Sequence, residues 1–189
     1  TLVQRLYGAE VLAGMAQGDV VARLLAVRRG EGSKSWPVAA RLFEQLLDQG
    51  ADRQSWLVAL GGGVVGDLTG FIASIFLRGI PVVQVPTTLL AMVDAAIGGK
   101  TAINLAAGKN LVGTFHQPRL VLIDPEFLAT LPGRERRQGL AEVAKAGFIA
   151  APELLPLLEQ GEKSLFGAPD KLAAVIKQAA AVKAAVVSA

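Results

Sequence analysis

The run WLVALGGGVVGDLTGF, Trp56 to Phe71, restricts the fold more than any other stretch, because an apolar segment ends in glycines and a helical pattern follows. A short apolar run of this kind reads as a strand buried on both faces, as in a parallel sheet. Gly61, Gly63 and Gly66 satisfy the G-x-G-x-x-G spacing of dinucleotide-binding turns. Glycines there let the backbone approach a phosphate, and the next helix offers free N–H groups to it. A tight strand-to-helix turn with nothing bound satisfies the same residues. The ordinary fingerprint also needs an acid about 20 residues on to hold the ribose. Leu68 to Val93 contains no Asp or Glu, so a dinucleotide bound here must have its ribose held by other groups. The polar turn bearing Glu31 and Lys34 is the expected source.

The rest of the first two-thirds alternates in the same way. An amphipathic helix carries Leu2, Val3, Leu6, Tyr7, Val11 and Met15, and a second starts at Pro37 and stops at Gly50. IPVVQVP and RLVLID read as further strands, while DVVARLLAV fits a strand or a short helix. The expected fold class is α/β: a Rossmann-like parallel-sheet domain over residues 1–132. From about Pro132 helical patterns follow one another with no strand between them, so residues 133–189 are expected to begin an all-helical domain. The chain opens without Met and stops inside an apolar helical pattern, which suggests a piece of a longer protein.

Composition removes several classes. Hydrophobic residues make up 52% and charged residues 19%, which argues against disorder. A net charge of +3 suits an anionic small molecule, and 5% aromatics is too few for a base-stacking surface, so no nucleic-acid partner is expected. No cysteine is present, which excludes disulfides and thiolate metal sites and fits a cytoplasmic protein. The longest uncharged run, Gly79 to Val93, is too short for a membrane span and is broken by prolines.

Polar candidates gather after the second strand. Asp94, Lys100, Asn104, Lys109 and Asn110 lie on glycine-interrupted backbone that reads as loop. Loops at the carboxyl ends of parallel strands are where open α/β sheets bind ligands, and lysines there suit phosphate or carboxylate. A solvated loop is the plain alternative. Glu142 and Lys145 share a helix face, as a surface ion pair or as a carboxylate and amine facing a site. Lys183 falls within the apolar stripe of Leu172, Val175, Ile176, Ala179 and Val186. Such a lysine usually snorkels to solvent; otherwise it meets an anion. His116 is the only histidine, and Glu142 is the only carboxylate that stands out as a metal ligand.

The blocks GGGVVGDLTGF, VPTTLLAMVDAAIGGKTAIN, GKNLVGTFHQP, DPEFLATLP and GLAEVAKAGFI occur in the order and spacing of 3-dehydroquinate synthase, which the chain resembles from about Glu31 onward. The resemblance implies conversion of 3-deoxy-D-arabino-heptulosonate 7-phosphate to 3-dehydroquinate in the shikimate pathway. Transient oxidation by bound NAD, phosphate elimination, re-reduction and aldol closure make it a lyase reaction, with zinc or cobalt as Lewis acid. It assigns Glu31, Lys34, Gly62, Gly63, Val64, Val65, Gly66, Asp67, Thr87, Thr88, Lys100, Lys109, Phe127, Leu128, Ala129 and Thr130 to the cofactor. Glu142 resembles the carboxylate metal ligand, with the family's two histidine ligands falling beyond this chain. Asp94, Lys100, Asn110, Lys145 and Lys183 match substrate positions, and Arg78 matches an arginine that reaches a neighbouring subunit's site, implying a homodimer. About half the family's length is present, so this chain by itself is expected not to turn over. Another sugar-phosphate cyclase, an NAD-dependent polyol dehydrogenase and a non-catalytic nucleotide-binding paralogue are the alternatives.

Overall fold

The computed structural model describes residues 1–18 and 20–189. Three parallel strands form its sheet: β1 (Leu57–Gly61), β2 (Val82–Pro86) and the two-residue β5 (Leu120–Val121), in the order β1-β2-β5. Leu57 lies opposite Val82 and Gly61 opposite Pro86, so the two longer strands end level and their carboxyl ends open on one edge.

A π-helical turn (Gln4–Gly8) runs into α1 (Ala9–Gln17), and α2 spans Trp36–Asp48 with Pro37 in its first turn, where its missing N–H costs nothing. Gly50, at φ +77°, turns the chain away after α2. The crossover from β1 to β2 is α3 (Gly63–Ile75), whose Leu68, Phe71, Ile72 and Ala73 are buried. They share a core with Ala39, Leu42 and Leu46 of α2 and with Ile80, Val82 and Ile103. DVVARLLAV is neither strand nor helix over residues 20–27; Leu25 and Val27 only pack on that core, and no described strand pairs with the segment. Asp19, its first residue, lies outside the described residues.

The block expected to be loop is largely an antiparallel hairpin, β3 (Lys100–Leu105) with β4 (Gly108–Phe115). Alternation explains it: Thr101, Ile103, Val112 and Thr114 share one face, which turns toward α3. Thr101 sits so close to Gly70 that a Cβ there would lie 2.5 Å from its Cγ2. Asp94 likewise sits in a helical turn, Ala91–Ala95, not on irregular backbone.

Four helices follow: α4 (Gly133–Ile149), α5 (Leu154–Glu159), α6 (Glu162–Phe166) and α7 (Pro169–Ser188). Val143, Ala146, Leu154, Leu165, Leu172, Val175, Ile176 and Ala179 build a second core, which also takes in Leu89, Met92, Val93, Leu128 and Leu131. The segments that leave the carboxyl ends of β2 and β5 are thus anchored in the helical body. Val186, placed by periodicity on the same stripe, is exposed because that stripe runs out of neighbours near the end of α7.

Candidate functional site

The glycine turn has two kinds of glycine. Gly66 and Gly70 let α3 lie against β2 and the hairpin: a Cβ on Gly66 would stand 2.8 Å from Gln84 Oε1. Gly62 and Gly63 instead line a cleft of about 1580 Å³ that runs along β1, from Trp56 and Leu57 to the glycine turn at the carboxyl edge of the sheet. There a Cβ would stand 3.0 Å from Thr88 Cγ2 and 3.3 Å from Ala95 Cβ, respectively. No side chain caps the start of α3, so the N–H groups of Gly63 and Val64 point free from the positive end of the helix dipole. The cleft is also lined by Glu31, Lys34, Val65, Asp67, Thr87, Thr88, Lys109, Asn110, Phe127 and Thr130.

Lys34 ties this wall together. Only 3% exposed, it donates from Nζ to Asp67 Oδ2 and to Asn110 Oδ1, each at 2.5 Å, with Glu31 Oε1 at 4.0 Å. Asn104 Nδ2 donates to Glu31 Oε1 at 2.8 Å, and Asn104 Oδ1 accepts from the Asn110 N–H at 2.9 Å. Burial pushes the Asp67 carboxyl above its ordinary value; the Lys34 hydrogen bond and charge oppose this, while Glu31 and Asp94 add to it.

A second cluster stands behind, on the turn Ala91–Ala95, α4 and α7. Lys183 Nζ lies 2.6 Å from Asp94 Oδ1, so this lysine meets an anion instead of snorkelling outward. Lys145 Nζ contacts Glu142 and stands 3.7 Å from Asp94 Oδ1. The Glu142 pair is therefore part of a cluster with Asp94, not an isolated surface pair. Lys145 is held above its ordinary pKa, first by the Glu142 contact and then by the Asp94 charge, against partial desolvation. Asp94 Oδ1 and Glu142 Oε2 are shielded from solvent and touch these ammonium groups without a well-directed hydrogen bond. A shielded carboxylate oxygen of that kind fits a metal ligand. No group of three His, Cys, Asp or Glu gathers among the described residues, so Glu142 supplies one ligand and not a full set.

Five nominated residues lie elsewhere: Gly66 packs against Gln84, Leu128 is buried in the helical core, Ala129 does not line the cleft, and Lys100 and Arg78 stand apart from it. Lys100 begins β3 opposite Phe115, with both side chains exposed on the outer face of the hairpin, and it does not line the cleft. Arg78 is exposed at the far end of α3, roughly 20 Å along the helix from the glycine turn. Leu77 and Arg78 hold φ of 50° and 72°, a left-handed pair that non-glycine residues seldom adopt. The lone histidine, His116, bonds the Ile80 carbonyl through Nε2 at 2.9 Å and pins the hairpin base to β2.

Sequence reasoning missed the residues that fix Phe127–Thr130. Arg136 donates to the carbonyls of Leu131 at 2.8 Å, Ala129 at 3.3 Å and Leu128 at 3.4 Å, and its guanidinium lies 4.6 Å from the Phe166 ring centroid. From the other side the Tyr7 hydroxyl meets Thr130 Oγ1 at 2.6 Å, and its ring packs edge-on against Phe127. Nothing in the run GRERRQ marks which arginine turns inward.

A parallel sheet with a glycine turn at its carboxyl edge and a helical body behind it is the architecture of the NAD-binding sugar cyclases. The structure superimposes with TM-score 0.89 on 2-epi-5-epi-valiolone synthase from Streptomyces hygroscopicus subsp. jinggangensis 5008, solved with NAD+ and Zn2+ bound; the two are 37% identical over 96% of this chain and 51% of that one. A 2-deoxy-scyllo-inosose synthase complexed with carbaglucose-6-phosphate, NAD+ and Co2+ gives TM-score 0.82 at 29% identity, over 95% of this chain and 49% of that one. The chain itself belongs to the 3-dehydroquinate synthase family: residues 24–138 match the family's N-terminal region. It is 49% identical to the 3-dehydroquinate synthase of Chlorobium luteolum over 99% of its own length and 52% of that protein. The chain spans about half the length of the curated relatives it matches.

Proposed function

We propose that this chain carries the cofactor cleft and part of the substrate site of a 3-dehydroquinate synthase, which converts 3-deoxy-D-arabino-heptulosonate 7-phosphate to 3-dehydroquinate and phosphate. One observation carries the reading: the free N–H groups of Gly63 and Val64, together with Lys109, Phe127 and Thr130, border one cleft that reaches the carboxyl edge of the sheet. NAD fits that cleft, and its pyrophosphate suits the start of α3. A divalent zinc or cobalt ion fits Glu142 as one of its ligands. When bound, the dinucleotide removes and returns a hydride and the metal polarises the oxidised oxygen.

The chain's own residues do the holding. Glu31, beside Asn104 at the cleft wall, is placed to accept from ribose hydroxyls. Thr87 and Thr88 close the floor, and Thr88 Oγ1 also accepts from the Ala91 N–H at 3.3 Å. Asp94 is placed to orient a substrate hydroxyl, and Lys145 and Lys183 to hold its anionic oxygens. Arg78, exposed away from the cleft, is left to act on a second subunit, and Lys100, exposed on the hairpin's outer side, is left to act on substrate there and is not carried into the cofactor site. A homodimer and a cytoplasmic location complete the proposal.

Incubating a full-length synthase that contains this chain with the heptulosonate phosphate, NAD and a divalent metal tests it. Release of inorganic phosphate without net NADH supports the synthase. Net NADH from a polyol supports a dehydrogenase, and turnover of a different sugar phosphate supports another cyclase.

A further inference from the structure

The sequence puts Lys34, with Glu31, on a turn expected to hold the cofactor's ribose; the structure gives its ammonium a different task. It is buried, and its two short contacts go to Asp67 on α3 and Asn110 on the hairpin. The backbone around it is drawn into the same tie: the Asn104 N–H donates to the Lys34 carbonyl at 2.8 Å. Asn110 sits at φ +56°, a left-handed conformation that asparagine tolerates better than other non-glycine residues and that its contacts hold in place. Asn104 and Lys34 supply that fixing through its N–H and its Oδ1. Three elements that border the cleft, the turn Glu31–Ser33, the first turns of α3 and the hairpin, thus meet at one buried nitrogen.

We infer that Lys34 is a positioning residue: its ammonium neutralises Asp67 and holds the hairpin against α3, so that Lys109 and Asn110 face the cleft, and it is not itself a ligand for the dinucleotide phosphates. The inference rests on the cofactor reading for what the cleft holds, but the tie itself exists without ligand. A buried cation with a counter-ion already in place has little left to offer a phosphate, whereas removing it strands a buried carboxylate.

Two measurements decide it. In the ligand-free chain, hydrogen exchange is compared for wild type, Lys34→Met and Lys34→Met/Asp67→Asn. Lys34→Met should speed exchange about tenfold or more at residues 104–112 and 63–67. The added Asp67→Asn should restore protection at 63–67 only. Unchanged exchange in Lys34→Met overturns the inference. If that variant does not fold, Asn110→Gly cuts the hairpin leg without straining the positive φ: it should loosen 104–112 and spare 63–67, and no loosening overturns the tie. In NAD titrations Lys34→Met and Asp67→Asn should each weaken binding about tenfold, and the double variant no more than the weaker single one. Losses that multiply are the mark of an ammonium meeting the ligand by itself, and overturn the inference. Failure of wild type to bind NAD sinks the cofactor reading, and the exchange data then decide the tie alone.

Discussion

The two charged clusters of this chain use the same residue types to opposite ends. Around Lys34 every short contact is spent inside the protein, and the lysine is sealed from water. Around Asp94 the carboxylate oxygens are shielded but poorly bonded, and Lys145 is half-exposed. The first arrangement builds a wall. The second keeps polar capacity in reserve, which is what a site needs if a charged guest is to displace internal partners.

Stability measurements can break this contrast. Lys34→Met should cost about 3 kcal/mol of unfolding free energy, because it leaves Asp67 buried without its counter-charge. Arg136→Leu should cost about 1.5 kcal/mol, since three carbonyls lose a donor and Phe166 loses its cation, with the Phe127–Thr130 amides exchanging faster. Glu142→Gln should cost under about 1 kcal/mol in the same denaturant titration, because its partner Lys145 is half-exposed and the contact is badly directed. Equal losses for Lys34→Met and Glu142→Gln would erase the distinction between wall and reserve.

The smallest expected effect is a pH dependence of unusual sign. Burial raises the Asp67 carboxyl above its ordinary 3.8, so the folded chain disfavours its ionised form. The stability tied to this group is complete below about pH 4 and is lost as pH rises through the raised native value. The melting temperature of wild type minus that of Asp67→Asn should therefore grow on acidification from about pH 7 to about pH 4. A gap that shrinks would mean that the lysine outweighs burial.

How much of this was legible in the sequence differs along the chain. The α/β plan could be read because Leu57–Gly61 and Val82–Pro86 are apolar throughout and glycine and proline punctuate the helices. The hairpin was read as loop because Gly98, Gly99, Gly108 and Gly113 hide an alternation that only α3 makes useful, by accepting Thr101 and Ile103. Lys183 could be placed on its helix face from spacing, but not its partner, because Asp94 comes from a turn 89 positions earlier in the chain. Lys34 was read as a cofactor contact for the same reason. Charge is written in the sequence, whereas burial and counter-ions are set by tertiary contacts. Tyr7 and Arg136 left no local signal, since each acts on a run more than a helical turn away or across the fold.

The most direct test is an NAD titration of the nitrogen-labelled chain followed by amide shifts. Saturable changes should concentrate at Gly62–Val65, Asp67, Thr87–Thr88, Lys109–Asn110, Phe127 and Thr130, residues that border the cleft. No saturable change, or changes confined to the outer hairpin face around Lys100 and Phe115, would contradict a dinucleotide site at the carboxyl edge of this sheet.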